Sequence, residues 1–212
     1  TFLIFFGAAL LFILEPLISK WILPTFGGVS SVWTTCLLFF QWVLLAGYGW
    51  SYALSKIRAP KLQIVVHLTV VAAAVFMLPI SPVEYLTTHD FNAPVTSLLT
   101  VLLLSIGAPF FVLSTTGPLL QTWMHRFKGT TSPYWLYAVS NAGSLAGLLA
   151  YPLLIEPQLS LPLQSTWWTR GFLLFALMLG LYSLLLLIKP TPATPAPALN
   201  APLRAPSLHT LV

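Results

Sequence analysis

The side chains able to do chemistry in this chain are few, and most stand inside apolar sequence. Glu15 is followed directly by Pro16, with Lys20 five residues on. An acid held at hydrocarbon depth is costly, so it either binds a cation or pairs with a base. The plainer alternative is a structural carboxylate paired within the bundle, with Lys20 snorkelling outward. Tyr134, Tyr137, Asn141 and Ser144 recur at helical spacing and fall within about 80° of one face. Such a stripe lines a cavity or supplies hydrogen bonds between helices. Ser114 and Thr115 lead into Thr116-Gly117-Pro118, where hydroxyls can serve the carbonyl that a proline leaves without a donor. Gln41 and Gln121 add amides near the middle and the inner end of their segments. Together Glu15, Lys20, Gln41, Ser114, Thr115, Gln121, Tyr137, Asn141 and Ser144 form a candidate intramembrane polar site. Glu15, Gln41, Thr115, Asn141 and Ser144 are its expected lining.

No other constellation carries chemistry. The sequence has no nucleophile–base pairing, carboxylate dyad or glycine-rich phosphate loop, so no catalytic residues and no enzyme activity are expected on this chain. Cys36 is alone, which excludes an internal disulfide, and no Cys/His spacing suits a metal. No metal and no cofactor are expected. Cys36 reads as a small buried hydrophobe. His67 reads as a hydrogen-bonded packing residue.

The elements that would position these residues follow from composition. Of 212 residues 58% are hydrophobic and 6% charged, against about 25% charged in a soluble domain. So few charges cannot cover a water-facing globule, which excludes a soluble enzyme, a secreted disulfide scaffold and a disordered chain. The nine Lys+Arg against four Asp+Glu, a net of +5, lie at segment ends. They therefore speak for membrane topology rather than nucleic acid.

About 20 apolar residues suffice to cross ~30 Å of hydrocarbon as a helix. Six such runs are visible: Thr1–Leu23, Ser30–Leu54, Leu62–Ile80, Thr96–Leu120, Pro133–Ile155 and Trp167–Ile188. The first reads as a retained helix, since no basic flank or small-residue cleavage site marks a signal peptide. Pro/Gly clusters separate the runs. Lys56, Arg58 and Lys61, then His125, Arg126 and Lys128, then Lys189, follow even-numbered spans. Glu84, Asp90 and Glu156 lie in the other connections, with Arg170 the one basic exception. Basic loops stay cytoplasmic, so both termini are expected inside. The fold expected is an all-α polytopic membrane protein of six transmembrane helices over residues 1–189. A Pro/Ala-rich cytoplasmic tail, residues 190–212, is too proline-dense to continue the last helix. Within the fifth span, Gly143 and Gly147 form a GxxxG beside Ala138, Ala142, Ala146 and Ala150, which predicts close packing in the bundle interior.

An offset of 102 residues relates two halves: Pro16-Leu17 and Trp21 fall on Pro118-Leu119 and Trp123, and Trp33 falls on Trp135. Three spans per copy make the second copy upside down, an inverted three-plus-three repeat of the transporter type.

Certain strings resemble a known family. They are Glu15-Pro16-Leu17-Ile18-Ser19-Lys20, Phe26-Gly27-Gly28, and Trp33-Thr34-Thr35-Cys36 with Phe39-Phe40-Gln41. In the second half they are Pro109-Phe110-Phe111, Ser114-Thr115-Thr116 with Pro118-Leu119-Leu120-Gln121, and Ser140-Asn141-Ala142-Gly143-Ser144 with Tyr151-Pro152 and Glu156-Pro157. Together they are similar to the membrane portion of bacterial spermidine-synthase-like proteins, which are fused major-facilitator/spermidine-synthase proteins. The resemblance implies a multi-pass inner-membrane protein with a transporter-like scaffold, for polyamines or another cationic solute. In that family a soluble aminopropyltransferase-like domain commonly follows the last helix, but after Lys189 this chain has only the tail. The implied partners are the lipid bilayer, further copies of the chain or a larger membrane complex, and a separate soluble synthase-like protein. Nucleic acid is not among them. The rival expectation is a non-catalytic accessory or anchoring subunit of a larger membrane assembly.

Overall fold

A computed structural model describes residues 1–81, 93–128 and 134–188, and all regular structure among them is helical. In chain order these are α1 (Phe2–Phe26), α2 (Ser30–Ser55), α3 (Pro60–Phe76) and α4 (Pro94–Leu102). A π-helical turn, Leu103–Gly107, leads into α5 (Ala108–Lys128). There follow α6 (Tyr134–Ala150), extended by a second π-helical turn (Tyr151–Ile155), and α7 (Leu161–Ile188). The loop acids Glu84 and Asp90, together with Lys189 and the tail 190–212, lie outside the described residues.

Five stretches are long and apolar enough to cross a membrane: Phe2–Phe26, Ser30–Ser55, Pro94–Met124, Trp135–Ile155 and Leu161–Ile188. Helix α3 is apolar but has only 17 residues, about 25 Å at 1.5 Å per residue. Leucines such as Leu37, Leu45, Leu145, Leu177, Leu181 and Leu185 stand exposed on the outside. So much outward apolar surface would drive aggregation in water and is ordinary in lipid. The chain has the build of a multi-pass membrane protein.

Prolines mark where the helices differ from their sequence-based limits. The sequence predicts that the first span stops at Leu23, before Pro24, but α1 runs through Pro24 to Phe26. It ends at Gly27, whose φ of 76° suits a residue without a side chain and whose N–H donates to the Leu23 carbonyl at 2.9 Å. The sixth span, predicted from Trp167, begins at Leu161. Pro162 sits in its first turn, where a missing N–H costs nothing. Pro60 opens α3 in the same way. In the fourth run a π turn at Leu103–Gly107 precedes Pro109, and Pro118 lies inside α5 as Pro16 lies inside α1. The π turn around Pro152 has no counterpart in the sequence-based reading.

The helices form two layers. Helix α1 packs most extensively on α6, and α2 on α4 and α5, with α1 against α5 holding the two pairs together. Behind them α3 packs on α5 and α7, and α7 on α1. Close approach follows small residues. A Cβ on Gly143 would run into the Phe5 carbonyl, and one on Gly147 would stand 2.5 Å from the Ala9 carbonyl oxygen. Gly47 meets Ser114 in the same manner. The GxxxG therefore packs backbone to backbone, but α6 stands at the edge of the bundle, not in its interior. Gly143 and Gly147 face α1 and are buried, while Ala138, Asn141, Ala142, Leu145 and Leu149 are exposed. A small-residue seam needs only one neighbour, which is why the motif alone does not place a helix at the centre.

The contacts also fix direction. Phe5 meets Gly143, Ala9 meets Gly147, and Lys20 meets Glu156, so α1 and α6 run parallel. Phe40 meets Phe110 and Ser51 donates to the Thr115 carbonyl, so α2 and α5 run parallel as well. Helix α7 is antiparallel to α1: Gly7 meets Phe175, while the Trp168 indole donates to the Leu10 carbonyl at 2.9 Å.

Two buried glutamines tie helix starts to the loops before them. Gln63 donates from Nε2 to the Ile57 carbonyl at 2.7 Å and accepts at Oε1 from the Trp123 indole at 3.1 Å. Gln164 donates to the Leu159 carbonyl at 2.7 Å and accepts from the Tyr151 hydroxyl at 3.1 Å. Each thereby satisfies a loop carbonyl that lipid could not.

Replacing Gly143 or Gly147 by Leu should overpack the α1–α6 seam, at a cost of about 1–3 kcal/mol. Thermal unfolding in detergent should show a lower Tm for both. Gly49→Ala, with open space around it, should melt like the parent. Parental melting of both seam variants would contradict the packing.

Candidate functional site

A groove of about 370 Å³ opens at one end of the bundle, mostly apolar but carrying one charge pair. Pro16, Ser19 and Lys20 of α1 form its floor, Trp33 of α2 one wall, and Tyr151 and Glu156 beyond α6 the other. The α1–α6 seam creates it: parallel helices held together at Gly143 and Gly147 deliver Lys20 and Glu156 to the same end. There the Lys20 ammonium pairs with Glu156 at 2.6 Å, both side chains more than a third exposed. The Tyr151 hydroxyl is held by Gln164, and the Ser19 hydroxyl donates to the Glu15 carbonyl at 2.8 Å. Trp33 is 44% exposed.

Of the side chains singled out from the sequence, Lys20 lines this groove. Glu15 is half-buried one residue before Pro16, and among the described residues its carboxylate has no ion-pair partner. Lys20 therefore finds its acid on another helix instead of standing free. Ser114 and Thr115 are buried and donate back to the Phe111 and Val112 carbonyls, both at 2.7 Å. They serve the stretch before Pro118 and the contact with α2. Ser144 donates to the Ser140 carbonyl, and Gln121 is half-buried. Gln41, Tyr137 and Asn141 point out of the bundle, Tyr137 with 55% of its surface exposed. The nine residues do not gather in one place.

No family model, curated protein or solved structure matches this chain.

Sequence reasoning passed over several groove residues. Glu156 reads as a loop charge and Trp33 as one term of an offset, because only the register of α1 against α6 brings them together. One signal was present: Pro60 and Gln63 recur as Pro162 and Gln164, offsets of 102 and 101 in the numbering. These residues stand in the first turns of α3 and α7. Cys36 is buried, as its apolar neighbours imply. His67 is fully buried, but instead of the expected hydrogen bond its ring stands edge-on to Trp123, with a centroid separation of 6.0 Å. Neither nitrogen has a partner among the described residues. Among those residues, too, no group of three His, Cys, Asp or Glu side chains is placed to hold a metal.

The arrangement can bind but has no reacting pair. An incoming ammonium group can take the place of Lys20 on Glu156, with the Trp33 side chain in the groove wall. A double-mutant cycle of Lys20→Gln and Glu156→Gln should return a coupling of about 0.2–1 kcal/mol, as expected for a partly exposed pair. Strictly additive losses in thermal stability would show that the two charges do not act together.

Proposed function

We propose that this chain is a six-span transporter-like unit of a bacterial inner membrane, with both termini cytoplasmic, that admits a polyamine or another cationic solute through the groove at Lys20 and Glu156. The observation that carries the reading is the packing pattern. When spans one, two and three are exchanged with four, five and six, the α1–α6 contact becomes the contact of α2 with α4 and α5. The α1–α7 contact likewise becomes α3–α5, while α1–α5 and α3–α7 map onto themselves. A set of contacts that survives this exchange supports an inverted three-plus-three repeat, the architecture of many transporter halves. The matched glutamines Gln63 and Gln164 support it independently.

The parallel course of α2 and α5 supports the sixth crossing, because the chain has to return through α3 between them. Basic residues then cluster at the inner ends, and Lys20 with Glu156 at the outer end. The resemblance to the membrane portion of spermidine-synthase-like proteins agrees with a cationic solute, and this reading assigns the chain no catalysis of its own. Glu15 would receive the solute's charge about 7–8 Å below Lys20 along α1. Uptake of labelled spermidine into vesicles should be abolished by Glu15→Gln, with the variant still monodisperse in detergent. Uptake at the parental rate would remove Glu15 from the path.

A second reading rests on Gln41, Tyr137 and Asn141. Amides facing acyl chains at depth are costly, so a protein neighbour is expected over this face. That neighbour would be another copy or a larger membrane complex in which the chain is an accessory or anchoring subunit, and a soluble synthase-like protein could join it. Stoichiometric recovery with one large partner in mild detergent favours the subunit.

A further inference from the structure

A second concavity lies beside the groove, with Tyr151 lining both. It is a slot of about 190 Å³ between α1 and α7, lined by Leu10, Ile13, Tyr151, Trp167, Trp168 and Gly171 among others. Its walls are almost wholly apolar. At Gly171 α7 comes close to α1: a Cβ there would stand 3.0 Å from the Leu10 side chain.

The residue next to Gly171 is Arg170. Helix α7 has 28 residues, about 42 Å of helix against a hydrocarbon layer of ~30 Å. Centred in a membrane, it overhangs each face by about 6 Å, yet Arg170 is about 14 Å from its start. The charge therefore leaves Cα at hydrocarbon depth and has to reach the headgroups. It does so over Trp167, one turn nearer the end, with the guanidinium carbon 5.4 Å from the ring centroid. Arg170 is exposed, and among the described residues no carboxylate lies within ion-pair range of it. Trp167 thus has two neighbours at once: its ring carries the guanidinium and also walls the slot.

We propose that the α1–α7 slot holds one acyl chain of an anionic phospholipid whose phosphate rests on Arg170. An acyl chain is the apolar group available at that depth, and a guanidinium fork matches a phosphate's paired oxygens. The site accounts for the one basic residue that departs from the charge pattern of the loops. It needs the chain to reside in a membrane but is independent of solute transport, so failure of the spermidine assay leaves it standing.

The full chain, equilibrated with mixed phosphatidylcholine and phosphatidylglycerol vesicles and released into mild detergent, is examined by native mass spectrometry. The parent should retain one phosphatidylglycerol in preference to phosphatidylcholine. Arg170→Gln should lower that retention about fivefold, the effect of one basic residue at an anionic membrane surface. Gly171→Leu should reduce both lipids by filling the slot, and Ile13→Phe tests the same wall should the first variant not fold. Millimolar glycerol phosphate should displace nothing. Equal retention of the two lipids by the parent, unchanged retention in Arg170→Gln, indifference to slot filling, or displacement by the soluble phosphate would each overturn the proposal.

Discussion

The bundle depends on the contact of two backbones, α6 on α1 at Gly143 and Gly147. Lipid offers helices no apolar incentive to associate, since acyl chains are as apolar as leucine. Association comes instead from van der Waals contact and the few hydrogen bonds that close approach allows. Gly143 and Gly147 let the α6 backbone reach the Phe5 and Ala9 carbonyls, and Gly47 does the equivalent for α2 at Ser114. Any side chain at these points would push the helices apart, and the rest of the arrangement would lose its register.

The groove follows from that register. Two parallel helices held at two points one turn apart keep a common register, which is how Lys20 comes to face Glu156 from a distant part of the chain. The π turn at Tyr151–Ile155 then aims Tyr151 inward, to Gln164 at the start of α7. One hydrogen bond thereby joins the groove wall to the layer behind it. The slot beside it depends on the same helix and the same tyrosine, so α1 borders two openings of different chemistry. The first has a charge pair; the second is apolar with a single cation near its rim.

Much of the fold was legible because lipid imposes simple rules. Apolar run length located the apolar helices, GxxxG identified the closest seam, and Pro118 with its hydroxyl neighbours identified a stretch that bonds back on itself. The candidate site was less legible. Periodicity places Tyr137 and Asn141 on one face of a helix but does not say whether that face meets a neighbour or the outside, and here it meets the outside. The partner of Lys20 depends on a contact between residues 136 apart in the numbering, which no local pattern encodes. Helix limits shifted at Pro24, Pro60 and Pro162, because a proline's cost depends on whether its turn already lacks a partner. The glutamine pair was legible in principle, yet two amides among so many leucines stand out only once their bonds are seen.

For α2 and α5 to run parallel, α3, with only 17 residues, has to carry the chain across the bilayer. Single cysteines at Lys20, Lys56 and Leu78, in a Cys36→Ser background, report this through labelling of intact cells with a membrane-impermeant maleimide. Positions 20 and 78 should label from outside, and position 56 only after permeabilisation. Labelling of 56 and 78 from the same side would mean that α3 does not cross, and the inverted arrangement would fall with it.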